Sequence, residues 1–168
     1  MQSQFLGARK YSMRGAKLEP RIMADVPPSS PQVILEELSA EFELLGDWEE
    51  RYRHIIDLGR SLTALSDAET TDANKVVGCA SQVWIVTEMG ANGRMKIRGD
   101  SDAHIVRGLI ALVLQLYSGQ TPSAILGLDA QEAFARLGLA SALSSQRANG
   151  LRSMVERIRK DARQALDT

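Results

Sequence analysis

Val83-Trp84-Ile85-Val86-Thr87-Glu88, then Met89-Gly90-Ala91-Asn92-Gly93, then Arg94-Met95-Lys96-Ile97-Arg98, is the stretch on which the fold turns. Its first part is rich in β-branched residues, its middle is a turn, and its last part alternates apolar with basic residues as a half-buried strand does. The spacing predicts a β-hairpin. A third strand near Asn74 to Gly78 is more weakly signalled. Helical patterns flank the hairpin on both sides, and helices, a small antiparallel sheet and further helices make an α+β layout.

Upstream, Ser30 as N-cap and Pro31 at the first helical position open a helix whose Ile34, Leu35, Leu38, Phe42 and Leu45 follow helical spacing to Gly46. Asp47 caps a second helix, with Glu50 three residues on in a capping-box arrangement. Trp48, Tyr52, Ile55 and Ile56 form its buried stripe, and Gly59 is its expected stop. Arg60 to Lys75 is polar and aperiodic, a long loop of the kind that often carries function. Downstream, Asp100 or Ser101 is the expected cap of a helix to about Tyr117, apolar almost all round and therefore the buried centre of the domain. Thr121-Pro122 starts a short helix, and Asp129 caps another that ends before Gly138. The region of Ser144 and Ser145 begins the last helix. There Leu151, Met154, Val155, Ile158 and Ala162 share a face. Arg152, Glu156, Arg157, Arg159, Lys160 and Arg163 are expected on a solvated one.

The chain of 168 residues is sized for one domain with a core that needs no disulfide or metal. That domain is expected over residues 31–168. Residues 1–30 lack sustained apolar periodicity and carry Arg9, Lys10, Arg14, Lys17 and Arg21 against Glu19 and Asp25 before a Pro-rich end. They are expected to form a flexible basic tail, either an organelle-targeting segment or the product of an upstream start, with Met13 and Met23 as alternative initiators. The apolar runs are too short to span a bilayer. A formal net charge of −1 gives no positive field to gather nucleic acid or an anionic membrane. A protein or small-molecule partner in a reducing, cytoplasmic setting is favoured.

One cysteine, Cys79, excludes an internal disulfide, a Cys-rich zinc site and a cluster held by four thiolates of one chain. The two histidines, His54 and His104, lack the second His at helical spacing that a metal pair requires, so no metal is expected. Neither has a motif that would make a Cys-His hydrolase. Asp100-Ser101-Asp102 resembles a carboxylate pair, but its place before a helix favours capping.

Cys79 lies in Val77-Gly78-Cys79-Ala80-Ser81, between the polar loop and the hairpin. Taken alone, such a cysteine is more often a small buried hydrophobe than a nucleophile. Its small neighbours nevertheless let another protein's active site approach the thiol. Sulfur transfer asks only for a thiolate that attacks the outer sulfur of a donor persulfide; it needs no metal, acid-base pair or resolving cysteine.

Gly78-Cys79-Ala80-Ser81-Gln82-Val83-Trp84-Ile85-Val86 closely resembles the signature of the SufE family. The resemblance extends through Trp48-Glu49-Glu50-Arg51-Tyr52, Ile55-Ile56-Asp57-Leu58-Gly59, Gly99-Asp100-Ser101-Asp102-Ala103, Tyr117-Ser118-Gly119-Gln120-Thr121-Pro122 and Arg147-Ala148-Asn149-Gly150-Leu151. It covers about Leu35 to Ala162. It implies an α+β fold shared with IscU-type scaffolds and a persulfide carried on Cys79. It further implies a SufS-type cysteine desulfurase as partner, delivery of sulfur to an Fe-S scaffold complex of the SufBCD type, and no cofactor of the chain's own, since pyridoxal phosphate belongs to the desulfurase. Such a protein is a substrate and activator of the desulfurase rather than an enzyme. Gly78, Ser81, Gln82, Arg147 and Asn149 are the residues expected to support the cysteine loop, with Asn149-Gly150 near it; a glycine there costs a helix about 1 kcal/mol relative to alanine unless packing requires it. Ser144-Ser145-Gln146-Arg147 departs from the proline-containing pattern of many relatives. The rival readings are a thiol redox protein that forms a sulfenic acid on Cys79, and a scaffold that binds a cluster with help from a second chain.

Overall fold

The computed structural model describes residues 29–168, so the expected basic tail lies almost wholly outside the described residues. Ser30 Oγ accepts the Val33 N–H at 3.3 Å and Pro31 begins helix α1 (Pro31–Leu44). Asp47 accepts from the Glu50 N–H at 2.9 Å to open α2 (Trp48–Arg60). The reciprocal half of the box reaches one residue further back, because Glu50 Oε2 accepts from Gly46 N at 2.7 Å.

Gly59 is not the stop that the sequence suggested: α2 runs through it to Arg60. Its reason is a close approach. A Cβ on Gly59 would lie 2.5 Å from the backbone nitrogen of Gly108, and one on Gly108 would lie 2.1 Å from the Ile55 carbonyl oxygen. The two glycines let α2 and α3 (His104–Tyr117) touch backbone to backbone.

The hairpin forms as expected, with β1 (Val83–Met89) antiparallel to β2 (Met95–Ser101) in a register from Val83 opposite Ser101 to Met89 opposite Met95. The second strand is longer than its alternation indicated. Gly99, Asp100 and Ser101 pair with the start of β1 instead of leading into a helix, and the N-cap of α3 is Ala103, without a side-chain bond. Backbone pairing along the whole of β1 takes these residues, and their side chains have other partners. Asp100 accepts from the Leu65 N–H at 3.1 Å and lies 3.5 Å from Arg107, while Ser101 Oγ accepts from Ala103 N at 3.3 Å. The third strand is reduced to an isolated bridge, Lys75 opposite Trp84, flanked by Val76 N–H to Val83 O at 2.8 Å and Ile85 N–H to Asn74 O at 2.9 Å.

Helix α3 is buried on most sides, with Leu109, Ile110, Leu112, Val113 and Leu116 in one core together with Ile55, Ile85, Ile97 and Tyr117. Each fully buried aliphatic side chain of this kind is worth about 1.5–3 kcal/mol of transfer free energy. Helices α4 (Pro122–Gly127) and α5 (Ala130–Arg136) are capped by Thr121 and Asp129. A short α6 (Leu139–Ala142), absent from the sequence pattern, precedes α7 (Ser145–Leu166), which Ser144 caps. The apolar face of α7 is buried as its periodicity predicts, but its charges are not all solvated. Arg159 donates to the carbonyls of Leu126 and Leu128 at 3.2 and 3.3 Å, serving the open C-terminal end of α4, and Arg157 Nε pairs with Asp161.

Candidate functional site

The cysteine segment is a loop pinched at its base. The chain leaves backbone pairing at Val76 and re-enters it at Val83, so residues 77–82 bulge outward with Cys79 near their middle. A second tie closes the far side: Gln82 N–H donates to Asp102 Oδ1 at 3.0 Å, and Asp102 N–H meets Gln82 O at 3.4 Å. Gly78 sits at φ +98°, a backbone state that side-chain-bearing residues rarely adopt. Val77, just before it, is 89% exposed.

Cys79 is half-buried and packs against the core on one side. Its Sγ–H points to the carbonyl of Gly150 in the second turn of α7, at 3.5 Å. The thiol borders a cavity of about 430 Å³. Ile105, Val106, Leu109 and Met154 give it an apolar floor, and Ser81, Ser144, Gln146 and Arg147 line its polar portion. Burial pushes the Cys79 thiol above its ordinary range, because ionisation there would place charge against an apolar surface. Burial thus favours the thiol form, whose weak bond to Gly150 O holds the sulfur against α7.

The residues expected from sequence fall as follows. Gly78, Ser81 and Gln82 form the loop; Ser81 lines the cavity, and Gln82 is fixed through its main chain. Arg147 lines the cavity from the first turn of α7, although nothing within the local motif brings a guanidinium to Cys79. Asn149 is exposed, and its tie to the site runs through its carbonyl, which accepts from Ser153 Oγ at 3.0 Å. Asn149-Gly150 does lie against the loop: a Cβ at position 150 would be 3.5 Å from Cys79 Sγ, an ordinary contact. Asp102 reads locally as a capping residue, and its tie to Gln82 spans 20 positions that no local pattern relates. Among the described residues no cluster of three His, Cys, Asp or Glu side chains could hold a metal. His54 lies beside Glu41 at 2.8 Å and stacks edge-on to Phe42, far in sequence and role from the thiol.

Fold and site together define a small α+β protein with one cysteine displayed on a tied loop over an apolar cavity. The chain belongs to the SufE family, described as an Fe-S metabolism associated domain, whose model matches residues 36–162. Membership places it in iron-sulfur metabolism. It is 54% identical over 132 residues to an uncharacterised SufE-like protein of Rhizobium etli, covering 77% of this chain and 89% of that one. It is 47% identical over 131 residues to another from Rhizobium meliloti, covering 76% and 94%. The solution structure of a hypothetical protein from Thermus thermophilus has the same fold, with a TM-score of 0.68 at 17% identity over 84% of this chain and all of the other. None of the described helices is long and apolar enough to cross a membrane.

Proposed function

We propose that this protein is a sulfur acceptor that takes persulfide sulfur from a SufS-type cysteine desulfurase onto Cys79 and delivers it to an Fe-S scaffold complex of the SufBCD type. The observation that carries the reading is a lone thiol on a projecting loop, over a cavity, with neither a metal cluster nor a His-carboxylate pair beside it among the described residues. Thiol-persulfide exchange fits such a site. The Cys79 thiolate attacks the outer sulfur of the donor's persulfide, the donor's S–S bond breaks, and the donor leaves as a thiolate. One S–S bond replaces another, so no external oxidant or reductant enters. By clearing its partner's persulfide the protein acts as substrate and activator; pyridoxal phosphate stays with the desulfurase.

The chain's own residues supply shelter and access. The apolar floor of Ile105, Val106, Leu109 and Met154 keeps water and stray thiols from a sulfane sulfur on Cys79, and Arg147 is the cation at hand when the sulfur is anionic. Attack requires Cys79 to lose its proton and its bond to Gly150, which a partner contacting Val77 and the loop would favour.

Intact mass spectrometry after incubation with a SufS-type desulfurase and cysteine tests the reading. The wild-type chain is expected to gain one reducible sulfur atom and Cys79→Ser none. If the desulfurase turns over cysteine while the wild-type mass stays unchanged, the proposed role is wrong.

A further inference from the structure

The cysteine loop meets α7 at two adjacent points, and the second depends on missing side-chain volume. At the first, Cys79 Sγ rests on Gly150. At the second, Gly78 rests on Ser153: a methyl group on Gly78 would stand 2.6 Å from Ser153 Oγ, well inside contact distance. Ser153 is one helical turn beyond Asn149 and turns its hydroxyl back onto the Asn149 carbonyl at 3.0 Å, which keeps its short side chain tucked along the helix. The other end of the loop is tied through Gln82 to Asp102, so the depth of Cys79 is fixed between that tie and the Gly78 contact.

We propose that Ser153 is a positioning residue, whose small side chain lets Gly78 settle on α7 and so sets how deeply Cys79 sits beside Gly150. A larger residue at 153 lifts the N-terminal half of the loop and turns the thiol outward. Ser153→Ala keeps the volume and so keeps the seat, although it removes the bond to Asn149 O. The inference deepens the sulfur-acceptor reading, but its first readout does not depend on that reading.

Because Cys79 is the only cysteine, alkylation by iodoacetamide reports this one sulfur. Its rate is to be followed across neutral to alkaline pH for wild type, Ser153→Leu, Ser153→Ala and Gly78→Ala, with thermal melting alongside. Ser153→Leu and Gly78→Ala are expected to react roughly tenfold faster, equivalent to about 1.4 kcal/mol of lost seating. The midpoint of their pH profile should fall toward that of an exposed thiol, about 8.5. Ser153→Ala should stay within about twofold of wild type, as a small change off the core does. Wild-type rates and an unmoved midpoint in a folded Ser153→Leu would overturn the proposal, whatever Gly78→Ala does. Should Ser153→Leu melt early, Ser153→Val decides, since it adds less bulk at the same point, whereas Gly78→Ala also strains a backbone held at φ +98°. If alkylation responds as expected while no variant, wild type included, takes sulfur from a desulfurase, the seat stands and the acceptor reading falls.

Discussion

At Cys79 two demands oppose each other. In the proposed acceptor role its sulfur has to be reachable by a second protein, yet a persulfide left in water is lost to any passing thiol. The site meets both by putting the cysteine on a projecting loop and turning its sulfur inward, against Gly150 and over an apolar floor. The Asp102 carboxylate is part of that arrangement, since it accepts from the Gln82 amide at 3.0 Å. Hydrogen bonds to ionised acceptors are worth more than neutral ones, though Asp102 is exposed and the gain stays near the low end, about 1 kcal/mol. Asp102→Ala is therefore expected to raise amide hydrogen exchange at Gln82 and its loop neighbours by roughly fivefold, with core amides unchanged. Equal exchange in both proteins would show that the pinch at Val76 and Val83 suffices alone. The motif around Cys79 was legible in the sequence, whereas Asp102 and Ser153 were not. Their partners are brought to them by the fold, and each has a commonplace local reading, a helix cap in one case and an ordinary helix serine in the other.

Among the elements, α3 carries the architecture: β2 leads into it, α2 lies against it at backbone contact, and it supplies Ile105, Val106 and Leu109 to the cysteine cavity. Periodicity found this helix and its burial, because an all-round apolar pattern has no other stable place in a soluble fold. It did not find the Gly59 and Gly108 contact, since a glycine near the end of a helical pattern looks like a stop signal until the opposing helix is known. Gly108→Ala would place a Cβ 2.1 Å from the Ile55 carbonyl oxygen. Neither backbone can yield easily, so the change should destabilise the fold by about 2–3 kcal/mol, read as a fall in the urea midpoint at constant slope. A midpoint equal to wild type would mean that α2 can slide away at little cost. The start of α3 was misplaced for a related reason. Asp100 and Ser101 have the chemistry of caps, but the edge of β1 offered their backbones a full ladder, and a local preference of about 1 kcal/mol does not outweigh it.

Over the whole molecule, residues 61–82 have to be held without a helix or long strand of their own, and side chains do much of it. Arg98 on β2 pairs with Glu69 in the polar loop and lies 3.4 Å from Glu88 on β1, while Arg107 on α3 donates to the Leu62 carbonyl at 3.1 Å. The hydrogen bond from Arg98 is the first cause that lowers the Glu69 carboxyl from 4.5 to about 2, with the Ser66 N–H next. A carboxyl depressed in the folded state stabilises it fully above its unfolded pKa, and that contribution is lost as pH falls. Between about pH 4.5 and 2 the polar loop should therefore loosen, seen as a melting temperature that falls less steeply with acid in Glu69→Gln than in wild type. Parallel curves for the two proteins would show that the pair adds nothing to folding. The sequence by itself determined the α+β order, the helix caps at Ser30, Asp47, Thr121, Asp129 and Ser144, the buried face of α7 and the singular thiol, because each is written in residues a few positions apart. Only the tertiary structure decided what surrounds that thiol: the floor from α3, Arg147 and Gly150 from α7, the tie to Asp102 and the seat on Ser153. These lie tens of residues from Cys79 in the chain, and their neighbourhood exists only once the core has closed around α3.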